Sequence, residues 1–484
     1  MEKHLSLSSL VVLTPRSAGR AHTGEALPDL DLFGEAPAPL GRKSNTGRPR
    51  VSLRTMIALL YLKHAFNLSD EAVVERWSET PRWQFFSGQA YYEERLPCDA
   101  TTLVKFRRLL GEEGCEELLA QTINQAVSMK LIPAAALATV VVDSTVQAKA
   151  IAHPNDARLL EVARHKLVQA AKDAGVDLKQ SFAKEGKVLR FKAGRYAHAR
   201  QFKRLRKIIK RQRTIVASLG REIARKAQAA GHVLGERTKQ ALAKAAQIVA
   251  QSGQRKNAAG VSKLYAWHAP EVVCMAKGKS RTPYEFGAKV GIAMTLQHNL
   301  IVGARAFEGN PFDGHTLREQ LEQAGILMQD TGIKPTTAYV DLGYRGVDGD
   351  NPGVDIKHRG KARSLTPQER TLLKRRQAIE PIIGHLKEDH GMERCHLKGA
   401  QGDRLHAVLC AAGYNIKWLL RMIARKAVAF LQSVFLCLQQ ASGLGRSWAA
   451  AAMAWIIRAA KTCSSGCSAP SVQGRMRVLG RIAA

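Results

Sequence analysis

The chain has 484 residues, with 74 Lys and Arg against 41 Asp and Glu, a formal charge of +33 at pH 7. Since only 24% of residues are charged, this is a bias of sign, which excludes a neutral housekeeping surface and makes a polyanion, nucleic acid first, the expected partner. The length predicts about three domains, or one domain with large insertions.

Eight cysteines are scattered without a CxxC pair, and Cys463 and Cys467 have no second ligand pair nearby, so reduced cytosolic thiols are expected. The apolar run LSLSSLVVL is followed by Arg16 and Arg20 where a small-residue cleavage site belongs, and no signal peptide is expected. VAFLQSVFLCL and WAAAAMAWII fall short of the roughly 18 residues of a membrane span, so no membrane association is expected. The expected location is the cytoplasm.

Residues 1–47, rich in Gly, Pro, Ser and basic side chains, read as a flexible basic arm. Residues 48–133 read as an N-terminal helical, DNA-binding domain. A first helix carries Met56, Leu59, Leu60 and Leu62 and breaks at Asn67; Ser69 caps a second with Val73, Val74 and Trp77. A third, capped by Asp99 or Thr101, carries Leu103, Phe106, Leu109 and Leu110, with Lys105, Arg107 and Arg108 expected outward. Such a set suits either a helix-turn-helix reader or a helical packing unit.

Next, TVVVDS is a β-branched run expected to be a buried strand ending on Asp143. Residues 157–265 then read as a basic helical insertion: within 181–260 there are 21 Lys and Arg against 3 Asp and Glu. Leu205, Ile208, Gln212, Ile215 and Leu219 follow helical spacing and predict a hairpin or short coiled coil with its charges outside. A run so one-signed favours phosphate contact over a merely solvated face. Lys203, Arg204, Arg206, Lys207, Lys210, Arg211 and Arg213 are the expected DNA contacts.

Strand pattern returns in two apolar runs flanking Gln297, His298 and Asn299, a hairpin signal. After GNPFDGHTL a helix extends to about Gln329, then TTAYVDLGYRG gives a strand running into Asp341, and NPGVDIKHRG a short strand. A long helix is expected from Thr366 to about His390. Residues 134–156 and 266–425 together predict an α/β core, a mixed sheet flanked by helices, and 426–484 a helical C-terminal tail.

Three carboxylates stand out: Asp143 and Asp341 at strand ends and Glu380 on the long helix. Carboxylates brought together from strand ends and a facing helix suit Mg2+, which takes hard oxygen ligands and keeps waters, and two such ions serve in-line phosphoryl displacement. On one continuous helix Arg376, Glu380 and Lys387 would fall within about 40° of one another, a charged stripe beside the apolar Ile379, Ile382, Ile383 and Leu386. An ordinary amphipathic helix with an Arg–Glu pair accounts for that spacing equally well.

RRQAIEPIIGHLK, VVDSTVQAKAIAHPNDARLL, YVDLGYRG, PCDATTLVKFRRLL and WHAPEVVCMAKGKSRTPYEFGAKV together resemble the bacterial insertion-sequence DDE transposases over about residues 48–421. The resemblance is to the insertion-sequence-five-like subgroup, whose third acidic residue lies in the signature Tyr, two residues, Arg, three residues, Glu, six residues, Lys. Arg376, Glu380 and Lys387 match; Leu373 replaces the Tyr. The resemblance implies an RNase H-like core with Asp143, Asp341 and Glu380 as catalytic metal ligands, and Arg376 and Lys387 contacting DNA near the cut. It implies two Mg2+ or Mn2+ ions, double-stranded DNA (element ends and target) as partner, and a homodimer or higher oligomer holding two ends. His315 and Asp156 also match family motif positions, and a structural role at a helix start is expected for each. Glu388 and Asp389 are rivals to Glu380 that lie off the signature. The expected activity is binding of terminal inverted repeats, metal-dependent cleavage and 3′-hydroxyl strand transfer. The alternatives are a DNA-binding derivative without catalysis and an RNase H-like nuclease that does not join strands.

Overall fold

Local capping chemistry starts the described part of the chain, which in this computed structural model comprises residues 51–229, 234–252, 263–276 and 283–442. The expected basic arm, Cys463, Cys467 and the tail beyond 442 lie outside the described residues. The Ser52 side chain accepts from Thr55 N and opens α1 (Leu53–Ala65); Ser69 does the same through Ala72 N for α2 (Asp70–Glu79). A short helix, α3 (Pro81–Phe86), precedes α4 (Ala100–Ser128), whose cap is Asp99. The expected outward face of α4 is corrected at two positions. Arg107 is buried, with its guanidinium on Asp70 at 2.8 and 3.1 Å, and Leu109 is exposed. A charge partner 37 residues earlier overrides the local preference for solvent.

The sheet begins with β1, which runs Thr139–Ala148 and so continues past Asp143, contrary to the expected strand end. It continues because β3 (Tyr284–Thr295) pairs antiparallel with it along almost its whole length, from Val140–Thr295 to Ala148–Gly287. β2 (Val273–Ala276) and β4 (Ile301–Phe307) both pair with the other edge of β3. The β3–β4 hairpin turns at the expected Gln297–Asn299 stretch. On the far side β5 (Thr337–Tyr339) and β6 (Asp355–Lys357) extend the sheet in parallel with β1. The result is an α/β protein with a mixed sheet and many helices, consistent with an RNase H-like core.

Between β1 and β2 the chain forms α5 (Asp156–Asp173), α6 (Ala183–His198), α7 (Phe202–Ala229) and α8 (Glu236–Gln251). They close around their own apolar cluster, including Leu160, Leu167, Ile215, Leu219, Ile223 and Ile248. Of the stripe read in α7, Gln212, Ile215 and Leu219 are buried while Leu205 and Ile208 are half-buried, and the helix packs against three others, so the unit is larger than a hairpin.

α9 (Asp313–Leu327) lies against β3 and β4. The expected long helix from Thr366 is helical from Pro367 to Glu388 but tightens midway. Thr366 and Glu369 form a reciprocal capping box for α10 (Pro367–Arg375), a tight turn follows over Arg376–Ala378, and α11 spans Ile379–Glu388. Pro381, lacking an N–H and crowding the carbonyl four residues back, accounts for the tightening. α12 (Gly399–Ser442) runs uninterrupted across residue 426, where the tail was expected to begin. Its Gly399–Lys426 stretch is long and apolar enough to cross a membrane, but 67% of its apolar window is buried inside the protein, where the helix packs against α1, α4 and β4, as in a core helix. One continuous core runs from Met56 and Trp77 through the sheet to Leu419, so the N-terminal helices and the sheet share their interior.

Candidate active site

Register places the first two carboxylates. The last parallel pair of β1 and β5 is Val141–Tyr339, and Asp143 and Asp341 each lie two residues further along, level on neighbouring strands and on one face. β5 has ended there, and Asp341 leads into a turn at Leu342–Tyr344. The two side chains therefore meet at the edge where the parallel pairing stops.

Arg376 fills the space between them. Nη1 is 3.6 Å from Asp143 Oδ2 and Nη2 is 3.5 Å from Asp341 Oδ1, ion-pair distances too long for good hydrogen bonds. Arg376 is buried, and Nη1 has no hydrogen-bond acceptor. The turn that tightens the long helix is what aims this side chain inward, so Arg376 does not share an outward stripe with Glu380 and Lys387. Glu380 is exposed on the first turn of α11, which packs against β1; among the described residues it forms no ion pair or hydrogen bond with either aspartate. Lys387, two turns on, stands 3.8 Å from Glu285 of β3.

A fourth carboxylate, Asp313, belongs to the same neighbourhood and escaped the sequence reading. Its Oδ1 accepts from Ser144 Oγ and from Lys289 Nζ, each at 2.8 Å, and Lys289 also donates to the Pro311 carbonyl at 2.7 Å. The sequence signal of Asp313 lies in GNPFDGHTL, two residues before His315. That histidine is exposed and lies edge-on to Phe312, and no side chain caps α9. Asp156 is the first residue of α5, with Asn155 as the actual cap. Glu388 and Asp389 sit at the far end of α11, where Asp389 engages His385 at 2.7 Å.

Electrostatically the site calls for positive charge. Burial pushes the Asp143 carboxyl above the usual range, and the charges of Asp341 and Asp313 push the same way; the Ser144 N–H and Arg376 oppose them. A guanidinium already standing between two oxygen donors marks a place that suits a hard cation. The donor set fits Mg2+ or Mn2+ in charge and ligand type.

Of the expected DNA contacts on α7, Lys203, Arg204, Arg206, Lys207 and Lys210 are exposed. Arg211 is exposed but paired to Glu185 at 2.7 Å, and Arg213 turns inward to the Val249 carbonyl at 3.2 Å.

Residues 25–109 match a family described as Transposase domain (DUF772), and residues 353–420, which carry Arg376, Glu380 and Lys387, match one described as Transposase DDE domain. Over 172 residues, 36% of this chain, the sequence is 47% identical to an uncharacterized protein of Rhizobium meliloti, ORF8 in the nfe locus, 80% of which is covered. No solved structure matches the chain. With one transposase match on the N-terminal helices and another on the segment that plants Arg376 between two strand-borne aspartates, the chain belongs to the DDE transposases of insertion sequences.

Proposed function

We propose that this transposase binds the terminal inverted repeats of its own element, cuts DNA at them with a divalent metal, and transfers the freed 3′-hydroxyl to target DNA, as members of the insertion-sequence-five-like subgroup would. The observation that carries the reading is the level placement of Asp143 and Asp341 around Arg376 at the end of the parallel pairing. Asp143, Asp341 and Glu380 would hold Mg2+ or Mn2+, two ions in all; when bound, the metal supplies an activated oxygen nucleophile and charge stabilisation at the leaving oxygen.

The chain's own residues do the rest. Arg376 stands between the two aspartates and offsets one of their two negative charges. Lys289 and Ser144 fix Asp313 beside Asp143, adding negative charge that strengthens the demand for a cation. Lys387 lies on the segment leading out of the site, where a cation would hold the scissile strand by its phosphates, and Arg376 would contact that strand once metal takes over the aspartates. The helices of residues 48–133 would read the element ends, residues 134–156 and 266–425 would form the catalytic core, and the inserted helices of 157–265 would grip backbone through Lys203, Arg204, Arg206, Lys207 and Lys210. Two ends must be held together, so a homodimer or higher oligomer on DNA is part of the proposal.

The test is incubation of the full chain with Mg2+, a linear duplex carrying the element's ends and a target plasmid. Joined products are expected. Cuts without joining would replace the reading with a nuclease, and binding alone with a DNA-binding derivative.

A further inference from the structure

A second donor cluster lies away from the strand-borne carboxylates, where α1 meets α12. His406 and Cys410 are four residues apart on α12 and so share a face, and His64 projects from the last turn of α1 toward them. All three are buried, at 3%, 8% and 0% exposure for His64, His406 and Cys410. The helices can approach this closely because residue 413 is glycine: a Cβ there would stand 2.6 Å from the His64 carbonyl carbon.

The distances carry the inference. Cys410 Sγ is 3.6 Å from His64 Nδ1 and 3.6 Å from His406 Nε2, and one donor atom from each of the three side chains lies within 4.8 Å of the others. A tetrahedral zinc ion, with Zn–S about 2.3 Å and Zn–N about 2.05 Å, sets its sulfur and nitrogen ligands about 3.6 Å apart. Among the described residues no other grouping of His, Cys, Asp or Glu meets that closeness, the strand-end carboxylates included. His64 Nε2 is buried without a hydrogen-bond partner, so one ring nitrogen of the cluster is left unsatisfied. Burial also holds both imidazoles neutral, the ligating form, His406 down to about 4.

We propose that His64, His406 and Cys410 bind one Zn2+ ion that staples α1 to α12. Two nitrogens and a thiolate select a borderline-soft ion, whereas the carboxylates around Arg376 suit Mg2+ or Mn2+, so the two sites sort metals by ligand chemistry. On binding, the Cys410 thiol releases its proton to solvent. His406 donates from Nε2 to the Gly391 carbonyl at 3.0 Å; ligation would require that proton to pass to Nδ1 and the ring to turn its Nε2 lone pair off the carbonyl toward the metal. Asp70 pairs with both neighbouring cations, Lys63 and Arg107, and leaves one net positive charge beside the cluster.

The experiment is titration of the chelator-treated full chain with Co2+ alone, followed by Zn2+, read by near-ultraviolet and visible absorbance. A saturable thiolate-to-cobalt charge-transfer band at one equivalent per chain, lost on adding Zn2+ and absent from folded Cys410→Ala, is expected; His64→Gln should weaken binding at least tenfold. The carboxylate site contributes no sulfur and cannot produce that band. Absence of the band from the folded wild type, or its persistence in Cys410→Ala, overturns the proposal. Should either variant fail to fold, zinc-edge X-ray absorption of the wild-type chain decides: one sulfur in the shell is expected, and a sulfur-free shell refutes the site.

Discussion

Asp143 and Asp341 stand level on adjacent parallel strands, each two residues past the last paired position, with one guanidinium between them. Two carboxylates so placed repel unless a cation intervenes, and Arg376 is that cation in the metal-free chain. Arg376→Ala should therefore lower stability in chelator-treated buffer. The loss should be on the order of 1–2 kcal/mol, discounted because Asp341 is half exposed to screening solvent. Mg2+ should then raise the melting temperature of Arg376→Ala more than that of wild type. Equal Mg2+ shifts in a calorimetric titration would dissociate Arg376 from the metal site.

Asp70 tests the N-terminal helices. Burial raises its carboxyl, but hydrogen bonds and charges from Arg107 and Lys63 together outweigh burial and hold it below the ordinary carboxylate range. Asp70→Asn would strand the buried Arg107, at a cost of about 3 kcal/mol. Urea unfolding of Asp70→Asn against wild type measures it. A midpoint unchanged within error would mean that the pair contributes nothing to the shared core.

Acid should loosen the same region. Burial depresses the folded-state values of His390 and His406 to about 4, and holds that of His64 well below the ordinary value near 6.5. Because the unfolded chain binds these protons first, the neutral imidazoles contribute full stability above pH 6.5, and that contribution falls as pH drops toward 4. Melting temperatures measured from pH 7.5 to 4.5 should decline mainly below 6.5, and less steeply in His406→Gln if it folds.

The α7 cations set the salt dependence of DNA binding. Each phosphate contact contributes about 0.9 to the slope of log affinity against log salt. Neutralising Arg206, Lys207 and Lys210 together should flatten that slope by about 2 to 3, with similar losses on specific and random duplex. Fluorescence anisotropy across a salt series reads it directly. An unchanged slope would remove these helices from the interface.

What was legible in the sequence was local. Ser52, Ser69 and Asp99 announce helix starts through side-chain oxygens acting within three residues, and the turn around His298 separates two apolar runs. The strand identity around Asp143 and Asp341 follows from β-branched composition, but where β1 stops does not, because β3 decides it from 140 residues away. Arg107 reads as solvent-facing until Asp70 is placed beside it. Asp313 was passed over because an aspartate before glycine at a helix start reads as turn chemistry; only the fold brings Ser144 and Lys289 to it. The inward aim of Arg376 depends on Pro381, whose consequence for the preceding turn is visible in the sequence once a continuous helix is no longer assumed.

The account's central claim is that Asp143 and Asp341 form one metal-dependent centre for DNA cleavage and joining. Its most direct test is Asp341→Asn assayed on an end-labelled element terminus with Mg2+ and target plasmid, alongside anisotropy on the same duplex. Cleavage and joining should both vanish while DNA affinity stays within about twofold of wild type, since the substitution leaves the α7 cations untouched. Cleavage or joining that persists in the variant would contradict it.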